Sequence, residues 1–252
     1  MVSYDLLGNI LLIKFDKKEK AKKKIAKKLL KEHKSVKTVL EKIEKVKGRL
    51  RKIKTKHLAG EKTKIVEYKE NGCKFVFNVD ETYFSPRLSN ERLEIAKQIK
   101  KKDSVLVLFA GVAPFSIVIG KLAKPKKVVS VELNRSANKY AKQNVKLNRV
   151  SDIVKIIQGN VKKLDKLLKK QNFDKIVMPR PNLKETFLSY VWKFCKKGTE
   201  IYYYGFGKFP DQVLEEIYKE AKGKKKIKIL KVKKAGEIAP YTFRWRVDFK
   251  IN

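Results

Sequence analysis

The chain has 252 residues, with 64 Lys plus Arg against 26 Asp plus Glu, a formal net charge of +38 and a pI near 10.1. At 42% hydrophobic residues it carries enough apolar mass for a packed core, which excludes bulk disorder, and its size allows one or two domains. No apolar run approaches the roughly 20 residues of a bilayer span, two cysteines and two histidines exclude a disulfide framework or a Cys/His zinc site, and the start MVSYDLLGNI lacks the order of a signal peptide, so a cytoplasmic protein without metal is expected.

Residues 4–15, YDLLGNILLIKF, read as a strand broken at Gly8-Asn9. Residues 17–33 read as a lysine-rich helix, because Ile25, Ala26, Leu29 and Leu30 recur at i, i+3, i+4 spacing and form one apolar stripe. A short helix is expected over 36–46. Residues 49–79 alternate in strand fashion, with Asn71-Gly72 as a hairpin turn. The pattern changes after this small α+β domain, assigned to 1–82. Helix 88–101 leads to strand 104–109, helix 114–123, strand 127–132, helix 136–147, strand 153–158, helix 161–170 and strand 175–178. Such alternation predicts a parallel, doubly wound sheet that binds ligands at the carboxyl ends of its strands. Helix 183–196, strand 199–204, helix 210–222 and strands 226–233 and 241–251 follow, the last pair as an antiparallel edge hairpin. The predicted class is α/β, with the Rossmann-like domain over 83–252.

The charge favours a polyanionic partner, nucleic acid ahead of an anionic membrane, since each phosphate neutralised releases counterions. Only nine of the cations are Arg against 55 Lys, a bias that a thermophilic background can produce in part. Arg in such a chain marks places where a planar, bidentate donor is wanted.

The strand VLVLF runs into AGVAPFS, whose small residues let backbone approach a ligand while Pro114 starts the next helix. The next strand, VVSVELN, places Glu132 at its end, where a carboxylate accepts both hydroxyls of a ribose; a solvated or capping Glu is the competing reading. Gly159-Asn160-Val161 offers polar edge contacts to an adenine. Tyr83, Phe84 and Phe115 suit stacking on an exposed base, or plain core packing.

FAGVAPFS, VELN, QGN and above all YFSPRLSNER (83–92) resemble the archaeal and eukaryotic class I tRNA (guanine-37-N1)-methyltransferases. The resemblance runs from about residue 4 to the end and implies S-adenosylmethionine as cofactor and tRNA as partner, phenylalanine tRNA first; a monomer with no membrane and no obligatory protein partner is expected. It implies a cofactor pocket of Tyr83, Arg92, Phe109, Gly111, Glu132, Leu133, Asn160, Val161 and Pro179. It makes Glu91 the general base for the guanine N1 proton, and sets Arg51 and Arg87 on the target nucleotide, where each can fork onto a phosphate or a guanine oxygen. Phe115, Pro179, Arg180 and Pro181 complete the implied substrate side. Members often carry a further N-terminal domain that touches the outer corner of the tRNA, and this chain is expected to begin after it.

Three positions depart from the family's pattern: Val107 replaces an acidic residue, Ala113 a glycine, and Pro179-Arg180-Pro181 an Asn-Leu-Pro. An archaeal subgroup with Pro here also methylates C7 of the tricyclic wyosine precursor 4-demethylwyosine, which makes that a second expected activity. A ribosomal-RNA base methyltransferase, or an RNA-binding protein on a degenerate methyltransferase scaffold, are the alternatives.

Overall fold

A computed structural model of the chain describes residues 3–16, 20–43, 50, 52–169 and 171–252. The chain opens with a hairpin in which β1 (Ser3–Leu7) and β2 (Ile10–Lys14) pair antiparallel. At the turn, Gly8 has φ +56 and a Cβ there would lie 1.9 Å from the Glu67 carbonyl oxygen, so this close approach needs glycine. Helix α1 (Lys22–Glu32) buries Ala26 and exposes most of its lysines. β3 (Thr38–Lys42) then runs parallel to β2 and antiparallel to β4 (Thr55–Gly60), giving the order β1-β2-β3-β4. The short helix expected over 36–46 is thus a strand through Lys42, and its last residues, 44–46, lie outside the described ones. The cause is tertiary. Thr38, Val39 and Leu40 are fully buried between β2 and β4, and both neighbours' backbone bonds are met by a strand and not by a helix.

β5 (Ile65–Glu70) and β6 (Cys73–Asn78) form a second hairpin around Asn71 (φ +48) and Gly72 (φ +71), the two positive φ values of a type I′ turn. A 3-10 turn at Pro86–Leu88 leads into α2 (Ser89–Gln98). The large sheet follows in chain order: β7 (Ser104–Leu108), α3 (Pro114–Leu122), β8 (Lys127–Glu132), α4 (Arg135–Leu147), β9 (Val154–Gln158), α5 (Leu164–Leu167), β10 (Phe173–Met178), β11 (Cys195–Gly207), α6 (Pro210–Ala221), β12 (Ile227–Ala239) and β13 (Thr242–Ile251). Its order is β12-β13-β11-β10-β7-β8-β9, with β7 to β11 parallel and the β12–β13 hairpin closing one edge antiparallel. Every residue of β7 is buried, as a central strand covered on both faces requires. The chain winds outward from β7 through β8 to β9, then crosses to β10 on the other side of β7, which makes β7 the switch point.

Two expected helices are replaced. Residues 161–170 hold a 3-10 turn, Val161–Lys163, and the single turn of α5; Lys170 lies outside the described residues. Residues 183–196 form two 3-10 turns, Leu188–Tyr190 and Trp192–Phe194, that run into β11. Phe187 there takes φ +62, and Phe187, Leu188, Val191, Trp192 and Phe194 are all buried. Apolar side chains this dense point in several directions, and successive turns aim them at the core where one helical stripe cannot.

Among the described residues β6 has no third strand beside it. Two asparagines of α4 take that place: Asn148 accepts from the Lys74 N–H and donates to its carbonyl at 2.9 and 2.6 Å, and Asn144 does the same at Val76 at 2.8 and 3.1 Å. Leu7, Val66, Phe75, Phe84, Ile95 and Val107 belong to one buried cluster, so the small sheet, the hairpin and the large sheet share a core. No helix among the described residues is long and apolar enough to cross a membrane.

Candidate functional site

Backbone conformation sets the turn after β7. Phe109, Gly111 and Ala113 have φ of +54, +57 and +66, and for the two that carry a Cβ the left-handed conformation costs roughly 1 kcal/mol each. The turn aims the Gly111 N–H at Glu132, whose Oε2 accepts it at 2.7 Å, while Oε1 accepts the Asn134 N–H at 2.7 Å. Asn134 in turn caps α4 through the Ser136 N–H and donates its amide to the Glu81 carbonyl. Burial pushes the Glu132 carboxyl above the ordinary range, against the pull of these backbone donors. A carboxylate offers about four lone-pair sites, so two bound N–H groups leave acceptors for a ligand's hydroxyls.

A cleft of ≈ 1090 Å³, mouth included, opens at this point. Its lining includes Tyr83, Arg92, Phe109, Gly111, Glu132, Leu133, Asn160, Val161 and Pro179, the set expected around a cofactor, and also Phe115, Arg180 and Pro181 from the set expected at the substrate. Asn160 uses its side-chain oxygen to cap the Lys162 N–H at 3.1 Å, which leaves its NH2 for an acceptor. Arg92 is buried and forks onto Glu70 at 2.5 and 2.6 Å, donates to the Ser85 carbonyl, and lies over the rings of Phe84 and Phe115. Its charge is therefore compensated, and it braces the 83–85 wall. A ribose diol facing Glu132 and a planar base between Leu133, Asn160 and Val161 fit this donor set, so the residues present suit a nucleoside cofactor.

Other expected positions stand elsewhere. The guanidinium of Arg180, expected on the substrate, donates to the carbonyls of Leu183 and Glu185 and pairs with Glu216 at 3.0 Å; it shapes the wall around Pro179 and Pro181. Arg87 is exposed, meets Asp5 at 3.2 Å and lines a neighbouring cavity. Arg51 lies outside the described residues. Glu91 is not on the lining. Successive helical residues are turned by about 100°, so while Arg92 points to Glu70, Glu91 points to the sheet edge, where it accepts from Arg246 at 2.7 Å and Tyr204 at 3.0 Å and pairs with Lys233 at 2.8 Å. Sequence reasoning missed Leu50, Leu183, Phe187 and Arg244 on the lining. Of these Arg244 carried a signal, being one of only nine arginines.

Comparison with known proteins agrees with this geometry. Residues 66–230 match the TRM5/TYW2 methyltransferase domain and residues 1–63 the TYW2 N-terminal domain. The chain is 33% identical over 255 residues to the tRNA (guanine(37)-N(1))-methyltransferase Trm5b of Pyrococcus abyssi, covering 99% of this chain and 75% of that protein. It is 32% identical over 298 residues to the tRNA (guanine(37)-N(1))/4-demethylwyosine(37)-methyltransferase Taw22 of Nanoarchaeum equitans, covering 98% of this chain and 99% of that one. The crystal structure of Pyrococcus abyssi Trm5b superposes with a TM-score of 0.88 at 32% identity over 99% of this chain and 75% of the other. The complex of aTrm5 with tRNALeu gives 0.88 at 30%, over 99% and 72%. A pocket for a nucleoside at the switch point, in a chain matched from end to end by these proteins, leaves one assignment: the chain belongs to the TRM5/TYW2 methyltransferase family.

Proposed function

We propose that the protein is an S-adenosylmethionine-dependent tRNA methyltransferase that forms 1-methylguanosine at nucleotide 37 and also C7-methylates 4-demethylwyosine in phenylalanine tRNA. The observation that carries this reading is the cleft at the end of β7 and β8, with Glu132 held on two backbone N–H groups and the apolar Pro179–Pro181 wall opposite, in a chain whose relatives carry those activities in their names. Bound S-adenosylmethionine supplies an electrophilic methyl. Glu132 holds the ribose hydroxyls, Asn160 and Val161 the base edge, and the aromatic rings of Tyr83 and Phe115 the target base. Residues 1–82 serve to gather RNA and residues 83–252 hold cofactor and target.

Methylation of guanine N1 releases a proton, and Glu91 is the acceptor we assign. That role requires RNA binding to draw its carboxylate away from Arg246 and Lys233, in keeping with catalytic hydrogen bonds that tighten only in the complex. The test of the reaction is transfer of label from S-adenosylmethionine to a phenylalanine tRNA transcript, with nucleoside analysis of the product. Replacing G37 by A should abolish incorporation; equal incorporation rejects the N1 assignment. For the second activity, tRNA bearing 4-demethylwyosine should gain one methyl. There Pro179→Asn, which puts an amide into an apolar wall, should lower tricycle methylation more than guanine methylation, and equal losses reject pocket shape as the reason for the proline.

A further inference from the structure

Among the described residues, the Arg244 side chain makes no ion pair or hydrogen bond; the residue is 8% exposed, and its guanidinium lies 5.6 Å from the Phe206 ring. The other buried arginines are compensated: Arg92 by Glu70, Arg180 by Glu216, and Arg246 by Glu91 and Asp248. The register of β13 sharpens the contrast. Arg244, Arg246 and Asp248 alternate onto one face, opposite Phe206, Tyr204 and Tyr202 of β11, and the carboxylate within reach on that face is taken by Arg246. The unpaired nitrogens of Arg244 keep access to solvent and the residue lines the cleft, so a ligand charge can take the place of water there.

Position narrows the choice of ligand. Arg244 lines the cofactor cleft and also the neighbouring cavity beside β1 and the 82–87 segment, so it stands where the two meet. That second cavity is lined by Lys42, Arg87 and Arg244 against Asp5 and Glu237, and Lys42 and Arg87 both pair with Asp5, so Arg244 gives the lining its net positive charge. From β8, which bears Glu132, the sheet steps through β7, β10 and β11 to β13, four spacings or roughly 19 Å away, which puts Arg244 on the substrate side and not at the ribose end.

We propose that Arg244 is a substrate-binding residue that takes a backbone phosphate of the RNA beside the target nucleotide. A phosphate is preferred to a base keto oxygen because a guanidinium makes its stronger, charge-assisted and bidentate contact with a fully charged group. The proposal rests on the RNA methyltransferase reading, and the experiment separates the two.

Wild-type methylation of phenylalanine tRNA tests the reading alone. Arg244→Gln and Arg244→Lys are then compared, after melting curves establish that both fold, by calorimetry with S-adenosylmethionine and by binding of an anticodon stem-loop at several salt concentrations. Arg244→Gln should weaken RNA binding about 10-fold and flatten the plot of log affinity against log salt by about 0.7–0.9, with cofactor affinity unchanged. Arg244→Lys should recover part of the loss. A neutral methylphosphonate at the phosphate on either side of nucleotide 37 should weaken the wild type to a like degree at one of the two positions and leave Arg244→Gln unaffected there. Weakened cofactor binding with RNA binding intact would assign Arg244 to the cofactor's carboxylate and overturn the proposal. A lower turnover with an unchanged salt slope would assign it to a base oxygen and overturn the proposal as well. If the wild type methylates no nucleotide 37, the salt slope on total tRNA still decides whether Arg244 contacts phosphate.

Discussion

Glu132 and Glu91 are both carboxylates at the start or end of regular elements, and their surroundings are opposite. Glu132 accepts two backbone N–H groups and faces the cleft. Glu132→Gln would turn an NH2 toward one of those donors, so cofactor affinity measured by calorimetry should fall about 10- to 100-fold. An unchanged affinity would remove Glu132 from the cofactor site. Glu91 is closed in by Arg246, Lys233 and Tyr204. If it accepts the N1 proton, Glu91→Gln should lower turnover by a factor of about 100 or more, while Arg246→Met, which frees the carboxylate, should keep more turnover than Glu91→Gln. Loss of stability with the turnover of the folded fraction unchanged would make the cluster purely structural. Glu132 was legible in the sequence because a strand end after a small-residue turn fixes where a side chain points. Glu91 was not: in an adjacent Glu-Arg pair on a helix, the sequence leaves open which of the two faces the pocket, and Glu70, far away in the chain, settles it by capturing Arg92.

At the scale of elements the parallel strands were legible from alternation and from their apolar runs, whereas 36–46 and 183–196 were misread as helices because partners distant in the chain decide them. β3 is a strand because β2 and β4 flank it, and the aromatic run before β11 breaks into turns because its side chains are needed in several directions. The pairing of α4 with β6 left no periodic signature at all. Asn144 and Asn148 sit one turn apart on the helix and meet alternate residues of the strand, Val76 and Lys74. Removing either amide leaves a backbone N–H and C=O of β6 without partners. Asn144→Ala should therefore cost about 1–3 kcal/mol in urea unfolding. Asn144 also donates to the Val112 carbonyl in the turn beneath the cleft, so cofactor binding should weaken with it. A stability loss confined to the β5–β6 hairpin, with cofactor affinity intact, would separate the hairpin from the site.

Over the whole molecule, the charge of +38 names a polyanion but distributes its lysines too widely to name a site; the compensated arginines do that by contrast with Arg244. The same charge makes the fold sensitive to acid, since protonating carboxylates drives the net charge toward the 64 basic side chains and self-repulsion grows. One carboxylate spans the sheet at the end away from the cleft. Asp174 of β10 accepts from the N–H and hydroxyl of Ser104 on β7 at 2.8 and 2.9 Å and pairs with Lys196 of β11 at 2.6 Å. Burial raises its carboxyl, but Lys196 and Ser104 outweigh that and bring it down to about 2. A carboxyl lowered on folding contributes stability that is present above its unfolded value and lost as pH falls through the folded one. The window here runs from about 4 down to about 2. Asp174→Asn should cost on the order of 1–2 kcal/mol at pH 7, discounted for the partial exposure of the pair, and the gap between variant and wild type should close near pH 2. Comparing the two proteins in the same high-salt buffer by urea unfolding cancels the general repulsion, and a gap that persists at about pH 2 would show that Asp174 acts by packing and not by its charge.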